Sequence, residues 1–299
     1  MYEAIYRESL KRARHKVWIL SDLQQSDPAL AKECLDVCMA DFAAMDNPAD
    51  MIWYLGDAVE GDNKDHLDQM CRMQEEAFGR TGLPLCYTPG NHDFDYVRGT
   101  GERYPPFYET VKAHKGWHTA ACLHDPYFTL PLGDFAVYFF TDHMAADFAW
   151  HTTHGVIHGD KEAYPYDWAI FREILAAETR PIITASHYAF AGGNRASDLL
   201  SRLLPLPERV KLHVYGHAHI GDFDWAGKDA WRRIAWVDWH DIPQINVSSF
   251  EHVRGQTCRS VFLHIYEDES FGIFFRNHDA GAFSECYFPA KINYLPKIG

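Results

Sequence analysis

The sequence contains no C-x-x-C pair, although it has 7 cysteines, and this number is odd. A secreted disulfide scaffold uses an even set of cysteines, and a zinc or thioredoxin-like motif uses closely spaced pairs. The cysteine pattern therefore argues against a disulfide framework and favours a reducing compartment.

Long apolar runs are also missing. No stretch approaches the roughly 20 apolar residues that a transmembrane helix needs. Residues 1–15 carry several charges and lack the apolar core of a secretory signal. These absences predict a cytoplasmic protein that makes no contact with a membrane.

Positive charge is scarce. The chain has 28 Lys and Arg against 42 Asp and Glu, which gives a formal net charge of −14 and argues against nucleic acid as a partner. A protein this acidic that handles an anionic substrate needs local positive charge, which bound metal cations can supply. The 299 residues contain no internal repeat, low-complexity tract or linker, so we expect one domain over residues 1–299.

The sequence does contain short apolar runs that alternate with helical segments. Strands are predicted at 16–20, 51–55, 84–88, 135–141, 181–185, 211–215, 243–249, 260–266 and 271–276, and helices at 28–45, 64–78 and 166–178. Asp27 is a candidate N-cap of the first of these helices, because Pro28 follows it. The alternation predicts an α/β sandwich, and the strand-rich C-terminal part predicts a mixed sheet. The segments 94–117 and 143–164 do not fit the alternation and are interpreted as loops.

Side chains of the kinds that bind metals follow five of these strands. They are Asp22 and Gln24 after the first strand, Asp57 after the second, Asn91 after the third, His187 after the fifth, and His217 and His219 after the sixth. Because ligands bind at the carboxyl edge of open α/β sheets, we expect these side chains to converge on one point. All of them donate through nitrogen or oxygen, which is typical of Mn, Fe, Zn or Mg sites rather than of cysteine-bound structural zinc.

These groups form motifs that resemble a known family. Asp22-Leu23-Gln24, Gly56-Asp57, Gly90-Asn91-His92-Asp93, a single His187 and Gly216-His217-Ala218-His219 are similar to the five sequence blocks of calcineurin-like metallophosphoesterases. The resemblance runs from residue 17 to about residue 249. It implies a four-layer α/β/β/α sandwich with mixed β-sheets, and a phosphoesterase that uses two divalent metal ions.

Carried over residue by residue, the resemblance implies two metal sites. Asp22, Gln24 and His219 would hold one metal, Asn91, His187 and His217 would hold the other, and Asp57 would bridge both with its two oxygens. A hydroxide generated between the two metals would attack the phosphorus atom. His92 would act as the general acid, and Asp93 would hold the His92 imidazole and favour its protonated form.

The first block departs from the family pattern, Asp-x-His, because Gln24 stands in place of the histidine. An amide oxygen is a harder donor than an imidazole nitrogen, which favours Mn or Fe as the cofactor and leaves Zn or Mg as alternatives. The Asp-x-Gln block also resembles the Mn-dependent ADP-ribose/CDP-alcohol diphosphatases. Gln25, the next residue, is an alternative position for an amide that lies behind the metal ligands.

The expected reaction is hydrolysis of a phosphodiester or pyrophosphate bond in a small, nucleotide-like phosphate ester. The alternatives are a phosphomonoesterase and a non-catalytic scaffold that keeps the fold. Arg195 and His143 are candidate substrate contacts, although a turn and a polar loop are the simpler interpretations of these positions. Glu60 either lies behind the ligands or caps a helix, and His252 and His264 are interpreted as surface or core residues. The sequence leaves the oligomeric state open.

Overall fold

The computed structural model describes residues 1–60, 64–95, 104–119, 127–140, 168–187, 208–219, 235–237, 242–252 and 257–289. Its helices are α1 (Tyr2–Arg12), α2 (Pro28–Ala44), α3 (Lys64–Gly79), α4 (Pro106–Ala113) and α5 (Trp168–Ala177). Its strands are β1 (His15–Leu20), β2 (Met51–Leu55), β3 (Leu85–Thr88), β4 (Trp117–Thr119), β5 (Tyr127–Leu132), β6 (Phe135–Phe140), β7 (Ile182–Ser186), β8 (Val210–Tyr215), β9 (Ala235–Val237), β10 (Pro243–Asn246), β11 (Arg259–Ile265), β12 (Phe271–Asn277) and β13 (Ala282–Tyr287). In this part of the chain, no helix is both long and apolar enough to cross a lipid bilayer.

Helix α2 begins where the sequence predicts it. The side chain of Asp27 accepts a hydrogen bond from the backbone N–H of Ala29 at 2.8 Å, and Pro28 occupies the first helical position. The carboxylate thereby satisfies one of the backbone donors that have no partner inside the first helical turn, and the fixed φ of proline suits the helix start. The predicted N-cap at Asp27 is confirmed.

The strands form two sheets, and both are mixed. The first sheet has the order β13-β12-β11-β1-β2-β3-β4, in which β1 to β4 run parallel and β11 to β13 are antiparallel. The second sheet has the order β5-β6-β7-β8-β10-β9, with a parallel centre and antiparallel edge strands. The predicted α/β fold with mixed sheets is confirmed.

Strand β1 shows how the layers are built, because its side chains alternate between two cores. Trp18 and Leu20 pack with apolar residues of helices α1 to α4. Val17 and Ile19 point to the opposite face, where they meet side chains of the second sheet. Full burial of a side chain such as Ile19 contributes about 1.5–3 kcal/mol relative to its exposure. The first sheet is therefore sandwiched between helices and the second sheet.

A fourth layer covers the other face of the second sheet. In β6, Phe135, Val137 and Phe139 point into the core between the sheets, so Tyr138 points outward. The hydroxyl of Tyr138 donates to Glu178, the residue directly after α5, at 3.1 Å. This contact places the C-terminal end of α5 on the outer face and gives the expected α/β/β/α order.

Residues 94–117 are not only a loop, and this prediction is wrong. They include helix α4 and the first residue of β4, and Phe107, Tyr108 and Val111 of the helix are buried. The helix is short and begins next to two prolines, so its periodicity is too brief to stand out in the sequence. Strand β13, in the C-terminal segment, was also not predicted and pairs with β12 at the sheet edge. The predicted loop 143–164 lies outside the described residues.

Acid should destabilise the fold partly through His264. This residue is fully buried in β11, with Nδ1 2.6 Å from Ser9 Oγ and no hydrogen-bond partner for Nε2. Burial, and then the charge of Lys16, lowers the pKa of His264 to about 3. Its pKa in the unfolded chain is about 6.5, so this stability is present above pH 6.5 and is lost as the pH falls towards 3.

Replacing His264 with phenylalanine should therefore flatten the decline of the unfolding midpoint between pH 7 and pH 5, measured by circular dichroism. The apolar ring matches the surroundings, since Tyr6 and Phe274 pack against His264. The same change at His118, which is exposed on β4, is the control and should leave the slope as in the wild type. Parallel curves for wild type and His264→Phe would show that His264 does not set this dependence.

Candidate metal centre

Five strand ends meet at one edge of the sandwich. Strands β1, β2 and β3 of the first sheet and β7 and β8 of the second sheet end there, and the residues that follow them come together. These residues are Asp22, Gln24, Asp57, Asn91, His187 and His219, which are buried, and His217, which is half-buried. All seven metal-type side chains singled out by the sequence therefore lie in the described part of the chain.

The backbone at this edge adopts an uncommon conformation. The φ angles of Asp22, Asp57, His217 and His219 are 61°, 51°, 65° and 47°. Residues other than glycine rarely adopt positive φ, and each such position costs on the order of 1–3 kcal/mol. The turns are tied to one another, because Asp22 N–H donates to the carbonyl of Gly56 at 3.0 Å. Strain that neighbouring structure holds in place in this way is typical of functional sites.

Two motif glycines are required by close packing of these turns. A Cβ atom on Gly90 would collide with Oδ1 of Asp57. A Cβ atom on Gly216 would lie 2.8 Å from Oδ2 of Asp22 and would collide with the Ser21 hydroxyl. The absence of a side chain at both positions lets loops from different strands approach within contact of the carboxylates.

One group of possible ligand atoms comes from Asp57, His187 and His217, which offer atoms within 4.8 Å of one another. Nε2 of His187 lies 3.1 Å from Oδ2 of Asp57 and 3.2 Å from Oδ1 of Asn91. Nδ1 of His187 lies 2.7 Å from the carbonyl oxygen of Leu55 and must carry the proton of that hydrogen bond. In the neutral imidazole, the Nε2 lone pair therefore faces two oxygen acceptors, which is a suitable arrangement for a cation.

A second group comes from Asp22, Asp57 and His219, again with ligand atoms within 4.8 Å of one another. Nε2 of His219 lies 3.1 Å from Oδ1 of Asp22. The amide oxygen of Gln24 is buried and has no hydrogen-bond donor. Gln24 follows directly in the turn, where its backbone N–H donates to the carbonyl of Asp57 at 3.0 Å.

Asp57 belongs to both groups, but its two oxygens differ. Oδ1 accepts a hydrogen bond from the backbone N–H of His92 at 2.9 Å, whereas Oδ2 is buried beside Nε2 of His187 and has no hydrogen-bond donor when that imidazole is neutral. Oδ2 is therefore the Asp57 oxygen that would be available to a cation.

The residues present fit two divalent cations. Leaving a buried acceptor such as Gln24 Oε1 or Asp57 Oδ2 without a partner costs about 1–3 kcal/mol, and a cation would satisfy both atoms. The donors are carboxylate, amide and imidazole groups, which bind first-row transition metals.

The side chains alone already compensate one another electrostatically. Burial would raise the pKa of Asp57, but the charges of His187 and His92 hold it well below its usual value. Burial would lower the pKa of His187, but Asp57 raises it to about 9. In the same way Asp22 outweighs burial and raises the pKa of His219 to about 10. A bound cation would take over the positive charge of these imidazoles, since a metal-binding histidine is neutral.

His92 lies beside the metal groups with its ring held by two carboxylates. Nδ1 is 2.7 Å from Oε1 of Glu60 and 3.1 Å from Oδ2 of Asp95. Burial alone would lower the pKa of His92, but the charges of Asp57 and Glu60 raise it to about 9. The imidazole is thus oriented, and without a bound cation the surrounding carboxylates favour its protonated form. Of the two interpretations of Glu60, a helix cap or a residue behind the ligands, neither names its observed contact, which is with the imidazole of His92.

Asp93 does not hold the His92 ring, so this part of the prediction is wrong. Its Oδ1 accepts from the backbone N–H groups of Ala58 and Val59 at 2.9 and 3.2 Å, and its Oδ2 accepts from Gly90 N–H at 2.7 Å. Both carboxylate oxygens accept hydrogen bonds from backbone N–H groups, and these bonds connect the loops after β2 and β3. When ionised, Asp93 also contributes to raising the pKa of His92, but burial and the charge of Asp57 raise the pKa of Asp93 itself to about 7.

The sequence did not identify Glu251, which lies directly behind a candidate ligand. Glu251 is buried, and its Oε1 is 2.8 Å from Nδ1 of His219. The amide of Gln25 donates to Oε2 of Glu251 at 3.3 Å, so Gln25 occupies the position behind the ligands that was considered for it. A carboxylate of this kind fixes the orientation and tautomer of a metal-binding histidine. The only indication of this role in the sequence is that Glu251 follows the end of strand β10, as the candidate ligands follow the ends of their strands.

Glu251→Gln should reduce metal affinity and turnover by about 10–100-fold, because the side chain keeps its size but loses the charge that orients His219. Titration of the stripped protein with Mn²⁺, followed by turnover, measures both effects. Glu76→Gln on the exposed face of α3 is the matched control and should behave as the wild type. Unchanged metal affinity in Glu251→Gln would remove Glu251 from the site.

The two candidate substrate contacts, Arg195 and His143, lie outside the described residues.

Comparison with known proteins agrees with this fold. A dimetal phosphatase from Danio rerio superposes with a TM-score of 0.60 over 92% of this chain and 98% of its own, at 11% sequence identity. Purple acid phosphatase PPD1 from yellow lupin (Lupinus luteus) seeds superposes with a TM-score of 0.54 over 92% of this chain and 53% of its own, at 13% identity. At these identities the likeness shows a shared fold. No protein in a curated collection matches the sequence.

The family assignment comes from the sequence itself. The family model of calcineurin-like phosphoesterases matches residues 15–221, which include the eight strands β1 to β8 and all seven metal-type side chains. The chain therefore belongs to the calcineurin-like phosphoesterase family and is a metal-dependent phosphate ester hydrolase.

Proposed function

We propose that the chain hydrolyses a phosphodiester or pyrophosphate bond in a small, nucleotide-like substrate with the help of two divalent cations. The observation that carries this proposal is the pair of ligand groups that share Asp57. Asp57, the residue that both groups share, also has a buried oxygen, Oδ2, without a hydrogen-bond donor. Two cations on either side of one carboxylate are a suitable arrangement for phosphoryl chemistry.

The proposed ligands divide as the two groups do. Asp22, Gln24 and His219 would hold one cation, Asn91, His187 and His217 would hold the other, and Asp57 would contact both. When bound, the pair supplies positive charge to the phosphoryl oxygens and lowers the pKa of a water molecule enough to make it a nucleophile at neutral pH. Glu251 keeps His219 in position, and Asp93 keeps the loops that carry Asp57 and Asn91 together.

His92 would donate the proton that the leaving group needs. Glu60 and Asp95 lie on Nδ1, so Nε2 is the nitrogen available to a substrate. The ring is largely buried, which limits the competition of water for its proton. An oriented, protonated imidazole next to the ligands is suited to general acid catalysis of ester cleavage.

Mn or Fe is the proposed metal, with Zn and Mg as the alternatives, because Gln24 contributes an oxygen where the family uses a histidine nitrogen. Replacing Gln24 with histidine should shift the preference from Mn²⁺ towards Zn²⁺ by at least about tenfold. Competition between the two ions for stripped wild-type and variant protein measures this shift. An unchanged ratio of Zn²⁺ to Mn²⁺ affinity in Gln24→His would contradict the argument from Gln24.

The acidic net charge of −14 supports a small substrate over nucleic acid. The likeness of Asp22-Leu23-Gln24 to the Mn-dependent ADP-ribose/CDP-alcohol diphosphatases supports a nucleotide-like phosphate anhydride or diester. A cytoplasmic location is proposed from the cysteines, since the six that the structure describes are free thiols.

Hydrolysis of bis-p-nitrophenyl phosphate and of p-nitrophenyl phosphate by chelator-stripped protein, with and without Mn²⁺, tests the proposal. Faster metal-dependent turnover of the diester supports it and leads to a panel of nucleotide diphosphates and cyclic nucleotides. Preference for the monoester would favour a phosphomonoesterase. No turnover of either compound by folded protein with any divalent metal would favour the non-catalytic scaffold.

A further inference from the structure

Three residues that are far apart in the sequence form a second cluster of metal-type side chains. Cys34 lies on α2, Cys258 directly precedes β11, and His252 lies between β10 and β11. Their ligand atoms are within 4.8 Å of one another. Both cysteines are fully buried, and the His252 side chain is 26% exposed. The cluster thus has a buried sulfur side and one side that a cation can reach.

One nitrogen of His252 is engaged by a carboxylate of the fold. Its Nε2 is 2.7 Å from Oδ1 of Asp279, and Oδ2 of the same carboxylate accepts from Cys258 N–H at 2.7 Å. Asp279 therefore joins His252 to Cys258. Nδ1 of His252 is the nitrogen available to a ligand, since its nearest carboxylate, that of the exposed Glu33, lies 3.9 Å away. A carboxylate on the far nitrogen of a histidine is the usual support of a metal-binding imidazole.

A further thiol is close by. Cys38 is fully buried one turn after Cys34 on α2, so both point to the same side of the helix. The set therefore contains two thiols and an imidazole, with a third thiol adjacent. Thiolates select soft or borderline cations, and cysteine with histidine is a typical donor set for Zn²⁺.

We propose that Cys34, His252 and Cys258 bind one thiophilic divalent cation of the Zn²⁺ class, with Cys38 or water as the fourth ligand. This site is separate from the candidate metal centre, whose seven donors are all nitrogen or oxygen. It joins α2, the start of β11 and the segment that contains His252. Glu251 precedes His252 and contacts His219. A cation bound by His252 would therefore also restrict the movement of the Glu251 carboxylate, which lies behind the candidate active site.

Packing alone is the simpler account of part of this cluster. Buried cysteines often serve as small apolar side chains, and the three thiols lie in or beside the core. Packing does not account for the polar His252–Asp279 pair beside the same thiols. The two accounts differ in whether sulfur binds a metal, which is a measurable property.

Cobalt(II) is the probe for this difference, because thiolate ligands produce intense near-ultraviolet charge-transfer absorption that nitrogen and oxygen ligands do not. Full-length, reduced and chelator-stripped protein is titrated with Co²⁺. We expect a sulfur charge-transfer band whose intensity at saturation corresponds to one thiolate-bound Co²⁺ per chain, and which disappears when Zn²⁺ is added. Binding of Co²⁺ to folded protein without this band would overturn the proposal.

Variants identify the sulfurs. Cys34→Ala should abolish the band, and His252→Ala should weaken Co²⁺ binding at this site at least about tenfold, in proteins that circular dichroism shows to be folded. Cys86→Ala is the matched control, because Cys86 is equally buried but lies in β3 within the other core. His252 is partly exposed, so its replacement tests the site even if Cys34→Ala does not fold. An undiminished band in a folded Cys34→Ala or His252→Ala protein would contradict the assignment.

Discussion

Asp57→Asn should lower turnover by at least about 1,000-fold and reduce the number of Mn²⁺ ions that the protein retains. The reason is the orientation of the new amide. The backbone N–H of His92 requires an acceptor at the position of Oδ1, so the amide nitrogen must take the place of Oδ2. Two hydrogen atoms would then point to the place where both cations need a lone pair. Turnover and metal content after dialysis measure the two effects.

Asp50→Asn is the matched control for this change. Asp50 directly precedes β2, and Asp57 follows the other end of the same strand, but Asp50 pairs with Lys16 near the surface. Its substitution should leave both turnover and metal content within about twofold of the wild type, because Asp50 lies at the end of β2 opposite the candidate metal centre. If Asp57→Asn kept its metal content and turnover, Asp57 would not be the shared ligand.

His92→Ala should produce a loss that depends on the leaving group. For aryl phosphate esters with a poor leaving group, such as unsubstituted phenol, the expected decrease in turnover is about 10²–10⁴-fold. For p-nitrophenol, which needs little protonation, the decrease should be far smaller. The protonated ring is held by Glu60 and Asp95 and donates a proton to the departing oxygen. Its contribution to the rate is therefore large for a basic leaving group and small for an acidic one. Steady-state turnover of the two esters measures this difference.

The exposed His118 provides the control, and His118→Ala should leave both esters unaffected. Equal losses for phenyl and p-nitrophenyl esters in His92→Ala would argue that His92 binds or orients the substrate rather than donating a proton. Unchanged metal content in the variant would exclude loss of the cations as the cause.

The sequence predicted the parts of the fold that depend on strong local patterns. Buried strands such as β1 and β2 are short apolar runs, and α2 has a capping residue and a proline at its start. The seven metal-type residues were found because a parallel sheet brings the ends of its strands to one edge. Short elements such as α4 and β4 were missed, because eight or three residues do not establish a period.

Contacts made across the fold could not be read from local patterns. Asp93 is next to His92 in the sequence, which suggested a contact with the ring, but the turn directs its carboxylate to the backbone of the neighbouring loop. Glu60 and Asp95 reach the ring instead because of loop geometry that spacing does not encode. The cluster of Cys34, His252 and Cys258 has the same origin, because its members come from three separate elements.

The most direct test of two metal ions sharing Asp57 is to titrate chelator-stripped protein with Mn²⁺ while bound metal and turnover are measured in the same samples. Mn²⁺ is suited to this test because it binds the nitrogen and oxygen donors of the candidate centre in preference to thiols. Two bound ions per chain, with turnover that reaches its maximum only when both are present, is the predicted result. Full turnover with one ion bound, or turnover that does not respond to metal, would contradict a dinuclear centre.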